Sequence, residues 1–265
     1  MSGASRLPVL MYHAVGPYTG PLHAELHVSR ERFSAQLRWL TDHGFTGIAP
    51  RQCAAWLLRG EPLPERAVLL TFDDAYADLT AHALPELVRH GFSAGVYVCT
   101  RMLGARAPWD GAPLMGADDV QAWSREGIEF GAHSRTHPHL TSLASDDTLS
   151  DEVEGSARDL ESLLGARAES FAYPYGDHDR RVANAVGSVA SISFTVHEGL
   201  ATQATDPLRI PRTMVRPDDG AIDMRMRTLL GRNPVYEVRG RVKRLWALGQ
   251  QLLEHPQRRA GEGLF

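Results

Sequence analysis

Hydrophobic and polar positions along this chain alternate between two rhythms. Leu7 to His13 is a short apolar run. After it, Phe33, Leu37 and Leu40 fall on one face of a helix that Ser29 can cap and Gly44 can end. Phe45 to Ile48 reads as a brief strand, and Pro50 to Leu58 as a helix opened by proline and closed by Gly60. Ala67 to Phe72 is a continuous apolar run, the signature of a strand buried on both faces. A helical segment interrupted near Pro85 then runs to His90, with Gly91 as its stop. Ser93 to Cys99 predicts a strand, Ala117 to Glu126 a helix, and Ile128 to Ala132 another strand. The clearest helix spans Asp146 to Leu164, striped by Leu149, Val153, Leu160 and Leu164 and ended by Gly165. Phe171 to Tyr173, Ile192 to Val196 and Leu208 to Ile210 complete the predicted strands.

Repeated strand-then-helix units predict an α/β fold with a parallel sheet and helices outside it. Seven or eight such units favour a distorted (β/α) barrel of one domain, residues 1–220, over an open sheet. From residue 221 to 265 the character changes: nine Lys or Arg stand against four acids, and Val238, Val242, Leu245 and Leu252 form a helical stripe. Such a basic C-terminal extension suits packing on the barrel, or contact with an anionic membrane surface or partner.

Composition narrows the picture only a little. The chain has 265 residues, 43% hydrophobic and 23% charged, ordinary for a globular protein. A net charge of −4 gives no general case for nucleic-acid binding, and nothing points to a partner protein. Cys53 and Cys99 read as free, buried thiols. Met1 to Pro8 lacks a basic region followed by an apolar core, and no run approaches 18 apolar residues. The expected location is therefore cytoplasmic, membrane-apposed at most.

The chemistry concentrates at strand ends. Thr71-Phe72-Asp73-Asp74 follows one predicted strand, and His133-Ser134-Arg135-Thr136-His137 follows another roughly sixty residues later. Adjacent residues at a strand end point in different directions, so one carboxylate can bind a metal while the other stays free as a base. The spacing of four puts both imidazoles within reach of one ion. Three protein ligands and an open position make a hydrolytic metal site. His139 is offset from this pair and reads as an exposed loop residue. Tyr173-Pro174-Tyr175-Gly176 and His13 also follow strands.

Thr-Phe-Asp-Asp, His-Ser-x-x-His-Pro-x-Leu and Phe-Ala-Tyr-Pro-Tyr-Gly, in this order, resemble the polysaccharide deacetylases of carbohydrate esterase family 4, over roughly residues 7–216. The resemblance implies a distorted (β/α) barrel and metal-dependent removal of N- or O-acetyl groups from sugars. It implies Asp73 as general base and Asp74, His133 and His137 as metal ligands, with the Tyr175 backbone N–H serving the oxyanion. The chain departs from the common pattern twice. Ala172 stands where many members carry an arginine, and Val196-His197 poorly matches the late motif of the acid histidine. Val9-Leu10-Met11-Tyr12-His13 resembles instead the circularly rearranged branch, similar to poly-N-acetylglucosamine deacetylases, in which this histidine moves to the first strand. His13 is then the expected acid, with His197 in reserve. Arg212 or Arg216 would replace the missing arginine beside Asp73 or meet the substrate.

Zn²⁺ is the default for two histidines and a carboxylate, while Co²⁺, Ni²⁺ and Fe²⁺ also suit the ligands. The expected substrate is an N-acetylated glycan or sugar. Tyr18, Trp109 and Tyr175 are placed to stack on it, with residues 16–21 and 101–116 as groove walls. Two other readings remain open. One is a hydrolase of the same fold acting on a ring imide or other non-sugar amide; the other is a carbohydrate-binding domain without activity.

Overall fold

The computed structural model describes residues 4–17, 23–234 and 236. Eight strands form one parallel sheet: β1 (Val9–Tyr12), β2 (Thr46–Ile48), β3 (Ala67–Phe72), β4 (Gly95–Val98), β5 (Glu129–Ala132), β6 (Ser170–Ala172), β7 (Ile192–Phe194) and β8 (Thr213–Met214). Their order is β7-β6-β5-β4-β3-β1-β8, with β2 paired to β3. The first three residues of β3 pair with β2, and Thr71 and Phe72 pair with β4 on the same edge. All six residues of β3 are buried, as its unbroken apolar run requires.

The sheet curls into a distorted barrel. Residues 207–215 bridge its two ends: Ile210 pairs with Phe194 of β7, whereas β8 pairs with β1. This corrects one predicted strand. Leu208 to Ile210 makes only a single bridge, and the strand lies at Thr213–Met214. Pro207 and Pro211 lack the N–H groups a longer ladder needs. Pro8 likewise splits the first apolar run: Arg6–Leu7 turns away to pair antiparallel with Ala201–Thr202.

Helices α1 (Arg30–Asp42), α2 (Pro50–Arg59), α3 (Leu79–His82), α4 (Leu84–Arg89), α5 (Ala117–Arg125), α6 (Asp146–Leu164), α7 (Arg180–Val189) and α8 (Ala221–Leu230) accompany the strands. Ser29 caps α1 and Ser145 caps α6, each accepting a backbone N–H three residues on. The helix before His90 breaks at Ala83, with Pro85 inside the first turn of α4. Helix α7 has no counterpart among the predicted elements, because Arg180 to Val189 carries a narrow apolar face and an internal glycine. It is capped by Asp179, whose carboxylate accepts the Val182 N–H.

Helix α8 lies against α1 and buries Met224 and Arg227, so packing on the barrel continues beyond residue 220. The chain divides after Arg232. The stripe Val238, Val242, Leu245 and Leu252, and with it the membrane contact expected of the tail, lies outside the described residues. Among the described residues no helix is long and apolar enough to cross a membrane. Cys53 and Cys99 are both buried and unpaired.

Candidate active site

Four strand ends build the site, with His13 following β1. Asp73 and Asp74 leave β3, His133 leaves β5, and Tyr173 to Gly176 leaves β6. Asp73, Asp74, His133, His137, His13, Tyr175, Trp109 and Arg216 line one cavity of about 580 Å³. The backbone is unusual here: Asp74, Ser134, His137 and Tyr175 all adopt φ between 58° and 69°. Left-handed conformations of non-glycine residues cost free energy and persist where surrounding contacts impose them, most often at functional sites.

Asp74, His133 and His137 each offer an atom to one point, all within 4.8 Å of one another. Asp74 Oδ1 is 3.5 Å from His133 Nε2 and 3.4 Å from His137 Nε2. His133 Nδ1 lies 2.7 Å from the Ala172 carbonyl oxygen. A carbonyl only accepts, so Nδ1 carries the hydrogen and Nε2 presents a bare lone pair to the cluster. Asp74 Oδ1 is buried with no hydrogen-bond partner. Burial, and then the charge of Asp73, push its carboxyl well above the usual range. Burial, and then His133, push His137 down to about 3; burial also lowers His133. Two neutral imidazoles facing an orphaned carboxylate oxygen are a donor set suited to a divalent cation.

Asp73 has a different environment. Arg212 is fully buried and donates Nη1 to Asp73 Oδ1 and Nη2 to Oδ2, both at 2.7 Å. Its Nε donates to the Thr195 carbonyl and Nη1 also reaches Thr71 Oγ1. Burial alone would raise the Asp73 carboxyl, but Arg212 and His133 outweigh it and hold the group well below the usual carboxylate range. Arg212 therefore stands behind the Asp73 carboxylate and takes no part in the cavity lining. Arg216 lines the cavity, with its backbone N–H donated to Asp219 Oδ2.

His13 lies in the cavity wall; burial brings its ring down to about 4, with Asp73 opposing the shift. His197 is exposed and outside that lining. Tyr175 is half exposed, its ring edge-on to His137 and stacked on His139, which pairs with Asp177. Trp109 also packs against His137, with 4.7 Å between ring centroids. Tyr18 lies outside the described residues.

Sequence reasoning missed two supports. Tyr76 accepts the Trp109 indole N–H at 2.7 Å and donates to Asp110, which anchors the Trp109 wall. Glu152 of α6 accepts from the loop between His133 and His137. A signal for Glu152 existed, because it shares the buried stripe with Leu149, Val153, Ser156 and Leu160. A charge on an apolar stripe asks for a partner.

Comparison with known proteins decides the family. Residues 60–190 match the family model described as polysaccharide deacetylase. The chain carries a polysaccharide deacetylase domain. Among solved structures, this deacetylase domain is similar to the Streptococcus pyogenes deacetylase PplD in complex with acetate. They share 26% identity with a TM-score of 0.75, covering 83% of this chain and 97% of that one. IcaB from Ammonifex degensii superposes with a TM-score of 0.73 at 22% identity, over 82% of this chain and 94% of its own. A Bacillus subtilis (strain 168) protein, YxkH, whose name carries a provisional polysaccharide deacetylase assignment, is 23% identical over 214 residues, 80% of this chain and 72% of YxkH. The family match and the likeness to PplD support a hydrolytic carbohydrate deacetylase, and the IcaB likeness supports the distorted barrel.

Proposed function

We propose that the chain hydrolyses N-acetyl groups from an acetylated sugar polymer or oligomer, with a divalent metal, Zn²⁺ by preference, held by Asp74, His133 and His137. The observation that carries this reading is the division of labour between neighbouring carboxylates. Asp74 Oδ1 faces two imidazole nitrogens with no partner of its own, while Asp73 is turned onto Arg212 and faces the same cavity. Bound at the three ligands, a divalent metal supplies Lewis acidity, lowering the pKa of a water and polarising the acetyl carbonyl.

The rest falls to the chain's own groups. Asp73, held ionised by Arg212, accepts a proton from the attacking water. The Arg212 pair makes Asp73 a weak base, so it serves only a water that is already acidic. The Tyr175 backbone N–H, on a residue in left-handed conformation, is the expected donor to the developing oxyanion. One such donor is typically worth about 3 kcal/mol. His13 delivers a proton to the departing amine, a very poor leaving group without it. In the free site its ring is neutral near pH 7. Negative charge developing on the acetyl oxygen raises the affinity of His13 for a proton, so His13 takes up a proton from solvent as that charge develops and then passes it to the amine nitrogen. Trp109 and Tyr175 flank His137 and offer the sugar two aromatic faces.

The test is a substrate comparison with purified protein and added Zn²⁺: N-acetylglucosamine oligomers, O-acetylated sugars and ring amides. The reading predicts acetate release from the N-acetylated oligomers above the other two. Faster turnover of a ring amide, or binding of oligomers without acetate release, would overturn it.

A further inference from the structure

The left-handed backbone of the His133–His137 loop is held from outside by one face of α6. Glu152 Oε2 accepts the backbone N–H of Arg135 at 2.8 Å and of Thr136 at 2.9 Å. Its Oε1 accepts the Thr136 hydroxyl at 2.5 Å. Arg135 lies flat along the same helix. It donates Nε and Nη2 to the two oxygens of Asp159 at 2.9 and 2.8 Å, and Nη1 to Asp151. Gly155 makes room for it, since a Cβ there would sit 2.5 Å from the guanidinium carbon. Inside the loop, His137 N–H donates to Ser134 Oγ. Ser134 at φ 63° and His137 at φ 60° bracket the two residues that Glu152 holds.

We infer that Glu152 is a positioning residue for the metal centre, fixing Arg135 and Thr136 so that the strained loop presents His137 Nε2 to the point shared with Asp74 and His133. The inference rests on the metal-site reading above. Its chemistry is specific, because one carboxylate oxygen must accept two adjacent N–H groups while the other accepts a hydroxyl. Glutamine satisfies the same geometry: its carbonyl oxygen accepts both N–H groups, and its NH₂ donates to a Thr136 hydroxyl that turns from donor to acceptor. Alanine satisfies none of it.

The experiment measures Zn²⁺ affinity of chelator-stripped full-length protein by competition with a chromogenic chelator, for wild type, Glu152→Gln, Glu152→Ala and His137→Ala. The expected result is near-wild-type affinity for Glu152→Gln and a loss of about 10- to 100-fold for Glu152→Ala, as for other groups that orient metal ligands. Should Glu152→Ala not fold, Thr136→Val removes only the hydroxyl contact and should weaken Zn²⁺ severalfold. Unchanged affinity in Glu152→Ala, or in Thr136→Val as its substitute, while His137→Ala loses the metal, would overturn the inference alone. Unchanged affinity in His137→Ala would overturn the metal-site reading and the inference with it. An equal loss in Glu152→Gln and Glu152→Ala would also overturn the inference, since hydrogen-bond geometry would then not be the cause.

Discussion

The histidine half of the site is gripped by a helix close behind it in the chain, at separations of 16 to 24 residues. Asp73, the proposed base, is gripped by an arginine 139 positions away. The two grips differ in kind as well as in range. Around the His133–His137 loop, Glu152 of α6 holds backbone N–H groups while Asp151 and Asp159 hold the Arg135 side chain, fixing a strained path. At Asp73, a guanidinium holds the carboxylate of the proposed base itself, fixing its charge and direction together. The contrast teaches that ligand geometry here is a local property of a loop and a helix. The electrostatic state of Asp73 instead depends on closure of the barrel between β7 and β1, where Arg212 enters.

The largest effect belongs to the local half. His137→Ala removes one of the three proposed ligands, so metal content after dialysis should fall to background and turnover with it. Retained stoichiometric metal would break the assignment of that half.

Arg212→Lys probes the distant grip. Lysine keeps a charge but loses the two-pronged geometry. The Asp73 carboxyl should rise toward the ordinary range, so the acid limb of kcat/KM should move to higher pH and neutral activity fall about tenfold. Metal affinity should hardly change. A large loss of metal in this variant would show that the two grips are not separate.

Stability sharpens the contrast at the cavity wall. The folded state holds His13 down to about 4, whereas an unfolded histidine titrates near about 6.5. This contribution is fully present above the unfolded value and is lost as pH falls toward the folded one. Stripped of metal, the wild type should therefore lose stability between pH 7 and pH 5. His13→Gln should lose less, by a difference on the order of 1–2 kcal/mol in denaturant titrations. Parallel pH profiles would remove His13 from the buried, neutral state described.

The smallest effect concerns the aromatic wall. Tyr76→Phe keeps the ring and deletes the acceptor of the Trp109 N–H. KM for an oligomer should rise severalfold with kcat nearly unchanged, because only substrate positioning is touched. A fall in kcat instead would link Trp109 to the chemistry through His137.

Much of this architecture was legible in the sequence because strand ends carry their own markers. Ala67 to Phe72 announces a buried strand, and the two aspartates directly after it must then lie at the C-terminal end of that strand. Arg212 was legible only as one of two candidates. Its contact depends on residues 207–215 spanning the gap in the sheet, and two prolines there blur the strand pattern. The left-handed backbones at Asp74, His137 and Tyr175 were not legible, since no glycine marks them and surrounding contacts impose them. Glu152 was within reach, as a charge on an apolar stripe. Helix α7 was missed because its apolar face is narrow and Gly187 and Ser188 lie near its end.

The most direct measurement is acetate release from an N-acetylglucosamine oligomer by wild type and Asp73→Asn, each stripped with chelator and each reloaded with Zn²⁺, with metal content measured in parallel. The account predicts release only by reloaded wild type, and full metal content but at least about 100-fold slower release for reloaded Asp73→Asn. Undiminished release by Asp73→Asn, or by stripped wild type, would contradict it.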